Sequence, residues 1–364
     1  MYLKQLRLEQ YRNIASALFE PGRNLSVLYG LNGQGKTNLL ESISLLGTGR
    51  AFRTSRIQDL LQHGAERSIV SGQVQAAGIE SRVLLQLQGN TRRISIDGKT
   101  VQRAAELHGK LATVIFSPDD TAMVKLGPET RRRFLDRSLY SSNAGFLLDY
   151  HSYYRTLKQR NALLKSGRLD ELPLWTEQLA QAGITLMQHR QQHLSRLQEL
   201  LQRQYARISG RAEEVAVHYR PDVVTDTADR LLQVLMEQQE LDLRYRTTNH
   251  GPHRDDLLFL INGRPLKGFG SQGQQRSFVL ALKLAELDNL QQTFGEEPVL
   301  LLDDIASELD RERITNLLEY LRRREVQVLI TTTDVTSFRA VLQQDSRLFR
   351  VEGGTLMYEG NGVS

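Results

Sequence analysis

Hydrophobic positions change their period several times along the chain. Leu3, Leu6 and Leu8 lead into Tyr11-Arg12-Asn13 and predict a strand, and Leu25-Ser26-Val27-Leu28-Tyr29 predicts another that runs directly into Gly30. After Thr37, Leu39, Leu40, Ile43 and Leu46 recur at helical spacing, and Gly47 and Gly49 are expected to stop that helix. Short strand patterns follow at Ser68 to Val74, Arg82 to Leu87 and Arg93 to Ile96, the last closed by the hairpin signal Asp97-Gly98, so an antiparallel patch is expected. From about Asn143 the period lengthens. Leu147, His151, Tyr154, Leu157, Asn161 and Leu164 share one helix face up to Ser166-Gly167. A second helix from near Pro173 carries Leu179, Leu186, Leu194, Leu197, Leu201 and Ile208, a rod of about 50 Å. Strand signals are expected to resume near Tyr245. An apolar helix then runs through Leu280, Leu284 and Leu287, and strands are expected at Val299–Leu302 and Val326 to Ile330.

The 364 residues are 40% hydrophobic and 24% charged, enough for one large core or two smaller ones. There is no cysteine, which excludes a disulfide framework and a thiolate metal site and fits a reducing cytoplasm. The opening residues lack the apolar run of a signal peptide, and no segment approaches the roughly 20 apolar residues of a membrane span, so a soluble cytoplasmic protein is expected. A net charge of +5 permits nucleic-acid binding without requiring it.

Chemistry enters at two distant places. Gly30-Leu31-Asn32-Gly33-Gln34-Gly35-Lys36-Thr37 is a P-loop between a predicted strand and a predicted helix. Its glycines let backbone N–H groups cradle phosphates, Lys36 places a charge on the β- and γ-phosphates of ATP, and the Thr37 hydroxyl is a Mg2+ ligand. Far downstream, four apolar residues end in Asp303-Asp304, as expected of a buried parallel strand whose C-terminal end faces the ligand. Asp303 would hold Mg2+ and Asp304 would orient or deprotonate the attacking water. The gap between the two motifs has the size of an inserted domain. The expected organisation is one head from 1–140 and 245–364 and a helical arm at 141–244.

Ser271-Gln272-Gly273-Gln274, within Phe269 to Arg276, resembles the signature loop of ABC-type ATPases, which engages the γ-phosphate held by a second subunit. Ser307-Glu308-Leu309-Asp310 resembles the D-loop of the same class, although an ordinary helix cap explains it equally well. Thr331-Thr332-Thr333-Asp334 occupies the place of the switch histidine of transporter ATPases. Asp304 replaces their glutamate, which implies slow hydrolysis.

With Tyr11-Arg12-Asn13, Gly49 to Arg53, Gly127-Pro128, Arg131 to Asp136, Gln159-Arg160-Asn161, Gly251 to Asp256 and Leu302 to Asp310, the chain resembles the RecF family of bacterial recombination mediators, related to SMC proteins. The resemblance implies an α/β fold. It is an ABC-type P-loop head with a mixed sheet and an antiparallel patch, assembled from both chain ends around an inserted α-helical arm domain. It further implies an ATP-dependent homodimer, a weak Mg2+-dependent ATPase, DNA binding at gaps, and cooperation with RecO and RecR in loading RecA during gap repair and replication-fork maintenance. An ABC transporter subunit and an SMC-like DNA tether are the alternatives. The inserted arm and the missing switch histidine oppose the first, and the short arm opposes the second.

Arg12 and Asn13 are candidate nucleotide contacts or an exposed strand end. Arg50, Arg53, Arg56, Arg131, Arg132 and Arg133 are candidate DNA-phosphate contacts, with ion pairs or nucleotide contacts across a dimer as alternatives. His250, His253, Asp255 and Asp256 match no standard zinc spacing.

Overall fold

The computed structural model describes residues 1–54, 56–102, 104–339, 342 and 346–360. The chain forms two compact units, the first from Met1–Thr121, Arg203–Ala212 and Gln272–Ser364, the second from Ala122–Gln202 and Glu213–Ser271.

Two six-stranded sheets build the first unit. One is mixed, with the order Thr355–Gly360, Arg347–Glu352, Leu25–Tyr29, Val328–Thr332, Val299–Leu302 and Thr113–Phe116. All its neighbours are parallel except the first pair. Its central strands are buried along their whole length, which is why they read as unbroken apolar runs. The other sheet is antiparallel: Ile14–Phe19, Tyr2–Tyr11, Arg67–Ala76, Ile79–Gln88, Thr91–Ile96 and Lys99–Thr100. The P-loop helix, Lys36–Thr48, packs against strands of both. Leu39, Leu40, Ile43, Leu45 and Leu46 are buried in one core with Leu3, Leu6 and Leu8 of the antiparallel sheet and Leu301 and Leu329 of the mixed one. Each such side chain contributes about 1.5–3 kcal/mol of transfer free energy. Gly49 ends the helix in the left-handed region. Gly47 does not end it: it lies inside, where an added Cβ would stand 2.0 Å from the Leu111 carbonyl oxygen. Close packing there requires glycine for a reason that has nothing to do with stopping a helix.

The second unit is mostly helical, with Pro128–Ser142, Phe146–Ser166 and most of Leu172–Ser209. It also contains strands. Val215–Arg220 pairs antiparallel with Asp256–Ile261, which pairs with Arg264–Pro265, so the expected all-helical stretch 141–244 holds a strand. Beyond the expected arm, residues 122–140 and 245–271 also group with this unit, whereas 203–212 group with the first. The cause is pairing: Asp256–Ile261 has its ladder partner at Val215–Arg220 and cannot leave it.

Buried charge organises this unit. Arg190, fully buried, donates to both carboxylate oxygens of Asp136 (2.9 Å each), to the Pro252 carbonyl (2.7 Å) and to Asp255 (3.1 Å). Asp255 also accepts from Tyr219 and from the Asp222 amide. Burial holds the Asp255 carboxyl above its ordinary value, against the pull of Arg190. Two histidines are kept neutral. His193 meets the buried Ser138 hydroxyl at 2.8 Å, and burial pulls it down to about 4, helped by Arg196. His253 meets the Tyr153 hydroxyl through Nδ1 (2.7 Å) and the Thr248 carbonyl through Nε2 (3.0 Å), and burial also brings it to about 4. His253 and Asp255 are thus engaged by protein partners.

Candidate nucleotide-binding site

The P-loop strand delivers Gly30 to a position only glycine fits. Its φ is +153° and an added Cβ would lie 2.3 Å from the Val351 carbonyl oxygen. Gly33 and Gly35 also take positive φ, and Gly35 abuts the Asn13 side chain. The Gly353-Gly354 turn secures the loop from outside. Gly353 N–H donates to Gln34 Oε1 (2.6 Å) and Gly354 N–H to the Gln34 carbonyl (2.9 Å). Leu31, Asn32 and Gly33 remain exposed at the rim.

Lys36 Nζ donates to the Gly30 and Leu31 carbonyls at 2.6 and 2.9 Å, which folds the ammonium over the loop. Burial lowers its pKa, while Asp304 and Asp303 pull it back up. The two distant motifs meet here. Thr37 Oγ1 donates to Asp303, 2.9 Å from both Oδ1 and Oδ2. Asp303 is buried, and burial raises its carboxyl pKa against the hydrogen bonds of Thr331 and Thr37. Asp304 follows in the left-handed region, φ +47°, with its Oδ1 buried and unpartnered among the described residues. A hydroxyl and a carboxylate at one point, beside a second carboxylate with an unused oxygen, are hard oxygen donors that suit Mg2+. The set can neutralise phosphate charge and hold a water for in-line attack.

The remaining expected residues divide. Asn13 is beside the P-loop, accepting from Asn38 Nδ2 at 2.8 Å, and Asn38 Oδ1 in turn accepts from Arg53 Nη1 at 3.0 Å. Arg53 therefore sits with the P-loop helix, and its charge favours the ionised form of Asp303. Arg12 makes a two-pronged pair through Nε and Nη2 with buried Glu41 of the P-loop helix (2.7 and 2.9 Å) and stays partly exposed. Arg131 is a correction. It is buried, paired through two nitrogens with Asp256 and bonded to the Met123 and Leu126 carbonyls, so it cannot reach DNA. Arg132 is half-buried and donates to the Asp255 carbonyl, whereas Arg133 is exposed and pairs with Glu129 one helical turn away. Arg50 and Arg56 are exposed.

Ser271 precedes the helix Gln272–Phe294, whose first turn carries Gly273 and Gln274. Arg276 of that helix pairs with Glu308 at 3.2 Å. Ser307 bonds back to the Asp304 carbonyl, and Asp310 caps the helix Arg311–Arg322 by accepting from the Arg313 amide. Sequence reasoning passed over two contributors, Glu41 and the Gly353-Gly354 turn, and gave Thr331 only the place of the switch histidine. The double glycine was the visible signal for the second of these.

The sequence matches the RecF/RecN/SMC N terminal domain family over residues 2–356. It is similar to the DNA replication and repair protein RecF of Trichlorobacter lovleyi, 66% identical over 100% of both chains. The protein of the same description from Geotalea daltonii is 42% identical over 98% of this chain and 100% of its own. Among solved structures, the recombination mediator protein RecF-ATP in the RecFOR pathway superposes with a TM-score of 0.89 at 33% identity, covering 98% of this chain and 97% of that one. A Smc head bound to the C-winged helix domain of ScpA, at TM-score 0.57 and 15% identity over 98% and 97% of the two chains, shares the fold. The chain belongs to the RecF family of DNA replication and repair proteins, within the wider RecF/RecN/SMC group.

Proposed function

We propose that this recombination-repair ATP-binding protein uses ATP to join two copies of itself on DNA and parts them by slow hydrolysis. The observation that carries the reading is the meeting of Thr37 with Asp303, two residues 266 positions apart held at 2.9 Å beside Lys36 and an unpartnered Asp304 oxygen. The backbone of Gly30, Leu31, Asn32, Gly33, Gln34 and Gly35 would cradle the phosphates, with Asn13 alongside. Lys36 would exchange its two carbonyl partners for phosphate oxygens. Mg2+ held by Thr37 and Asp303 would neutralise phosphate charge. Asp304 would accept a proton from the attacking water at its free Oδ1, and its short side chain makes the turnover slow.

The signature residues Ser271, Gln272, Gly273 and Gln274 would reach the nucleotide of the other copy, and Ser307 and Asp310 would cross the interface. DNA would be held through its phosphates, with Arg50, Arg53, Arg56 and Arg133 the exposed candidates from the sequence. Solved relatives described as carrying ATP and acting in the RecFOR pathway support RecO and RecR as partners, and through them RecA loading. Among the described residues no helix is long and apolar enough to cross a membrane, and the cytoplasm is the compartment we assign.

Light scattering on Asp304→Asn tests the switch. We expect twice the monomer mass with ATP and Mg2+ and the monomer mass with ADP; a mass independent of nucleotide refutes it. Lys36→Met should abolish ATP-dependent retention on DNA.

A further inference from the structure

Thr331 is the last residue but one of the strand Val328–Thr332, whose register with Val299–Leu302 pairs Ile330 with Leu302. One residue further along, Thr331 stands beside Asp303. Its side chain is fully buried, and one hydroxyl serves both acidic residues. Oγ1 donates to Asp303 Oδ1 at 2.7 Å and accepts the Asp304 amide N–H at 2.9 Å.

These two bonds answer two different problems. Asp303 is shared with Thr37, and a Thr37 hydroxyl drawn to a metal would release its hold on the carboxylate; Thr331 would keep Asp303 oriented from the opposite side. Asp304 sits in the left-handed region, a conformation that costs free energy outside glycine and persists only where the surroundings fix it. The bond to its amide is that fixing contact, made at the residue whose carboxylate carries an unpartnered oxygen.

We propose that Thr331 is the positioning residue of the hydrolytic step. It sets the relative orientation of the metal-side carboxylate Asp303 and the water-side carboxylate Asp304 without touching nucleotide. The inference rests on the ATPase reading above. A valine in its place retains the branched shape and loses the hydroxyl; a serine retains the hydroxyl and loses a methyl group.

The test compares wild type, Thr331→Val, Thr331→Ser and Asp304→Asn for ATP turnover at saturating Mg2+, for ATP affinity by calorimetry and for melting temperature. Thr331→Val should lower kcat by about 10–100-fold while changing ATP affinity by less than about threefold, and Thr331→Ser should stay within about threefold of wild type in both. Thr331→Ala, which also lacks the hydroxyl, should repeat the loss if the valine chain does not fold. Wild-type kcat in Thr331→Val overturns the proposal. So does a parallel fall of affinity, turnover and melting temperature in Val and Ser alike, the mark of a purely structural residue. If wild type turns over no faster than Asp304→Asn, the ATPase reading itself fails and takes this inference with it, an outcome distinct from a normal wild type with a normal valine variant.

Discussion

Lowering the pH from 7 to 5 should weaken the second unit through His193. The imidazole is buried and its pKa is about 4, whereas in the unfolded chain it returns to about 6.5. In that interval the unfolded state binds the proton and the folded state does not. The stability this histidine contributes is therefore complete above about 6.5 and is lost as pH falls toward the folded value. Integrating the difference from pH 7 to pH 5 gives a loss of roughly 2 kcal/mol. His253, also near 4, adds a loss of the same sign and similar size. Asp255 acts in the opposite sense, since its raised pKa makes the folded state take up a proton first, and offsets part of the loss. Trp175, the chain's single tryptophan, packs in this unit against Leu163, Leu164 and Leu172 and reports on it directly. Urea unfolding followed by its fluorescence should show a lower midpoint at pH 5 than at pH 7, and His193→Gln should remove about half of the difference. A midpoint unchanged by pH, or a full pH dependence in His193→Gln, would refute the assignment of a buried neutral histidine.

Gly30→Ala must place its Cβ 2.3 Å from the Val351 oxygen at φ +153°; with backbone strain alone costing about 1–3 kcal/mol, ATP affinity by calorimetry should drop tenfold or more, and wild-type affinity would contradict the geometry. Arg190→Met strands Asp136 and Asp255 without their buried partner and should cost about 3–5 kcal/mol in the Trp175-reported transition. Adding Asp136→Asn and Asp255→Asn should recover much of that, and a loss below about 1 kcal/mol in Arg190→Met alone would show that the network does not hold the unit.

Features of this fold that depend on local chain order were readable in advance. The strand, turn and helix around Gly30 to Thr37 follow from spacing alone, as do the leucine stripe of Leu172–Ser209 and the hairpin at Asp97-Gly98. What depends on a distant partner was not. Val215–Arg220 is six residues of alternating burial whose ladder partner begins at Asp256, so it carried no helical or strand signal strong enough to stand out. The run Arg131-Arg132-Arg133 illustrates the limit most clearly. Successive helix residues turn by about 100°, so three identical side chains face three environments: Arg131 enters a buried pair, Arg132 a half-buried carbonyl and Arg133 solvent. The Arg12–Glu41 pair went unread for a related reason, since Glu41 is one helical turn beyond the P-loop and nothing in sequence spacing announces their pairing.

The Gly353-Gly354 turn that secures Gln34 has a consequence for synthesis. The P-loop strand lies between Val328–Thr332 and Arg347–Glu352, and the turn's bonds reach back to Gln34, 319 positions before Gly353. At about 5–20 residues per second, the ribosome needs roughly 15 to 60 seconds after making Gln34 to deliver its partners. Until Val328–Thr332 is made the P-loop strand has neither of its neighbours in the mixed sheet, although every residue of the second unit has already been made by Ser271. The growing chain thus carries its nucleotide site unfinished until Gly354 is made, and a chain stopped before Arg347 would leave the P-loop strand without one neighbour and Gln34 without its turn.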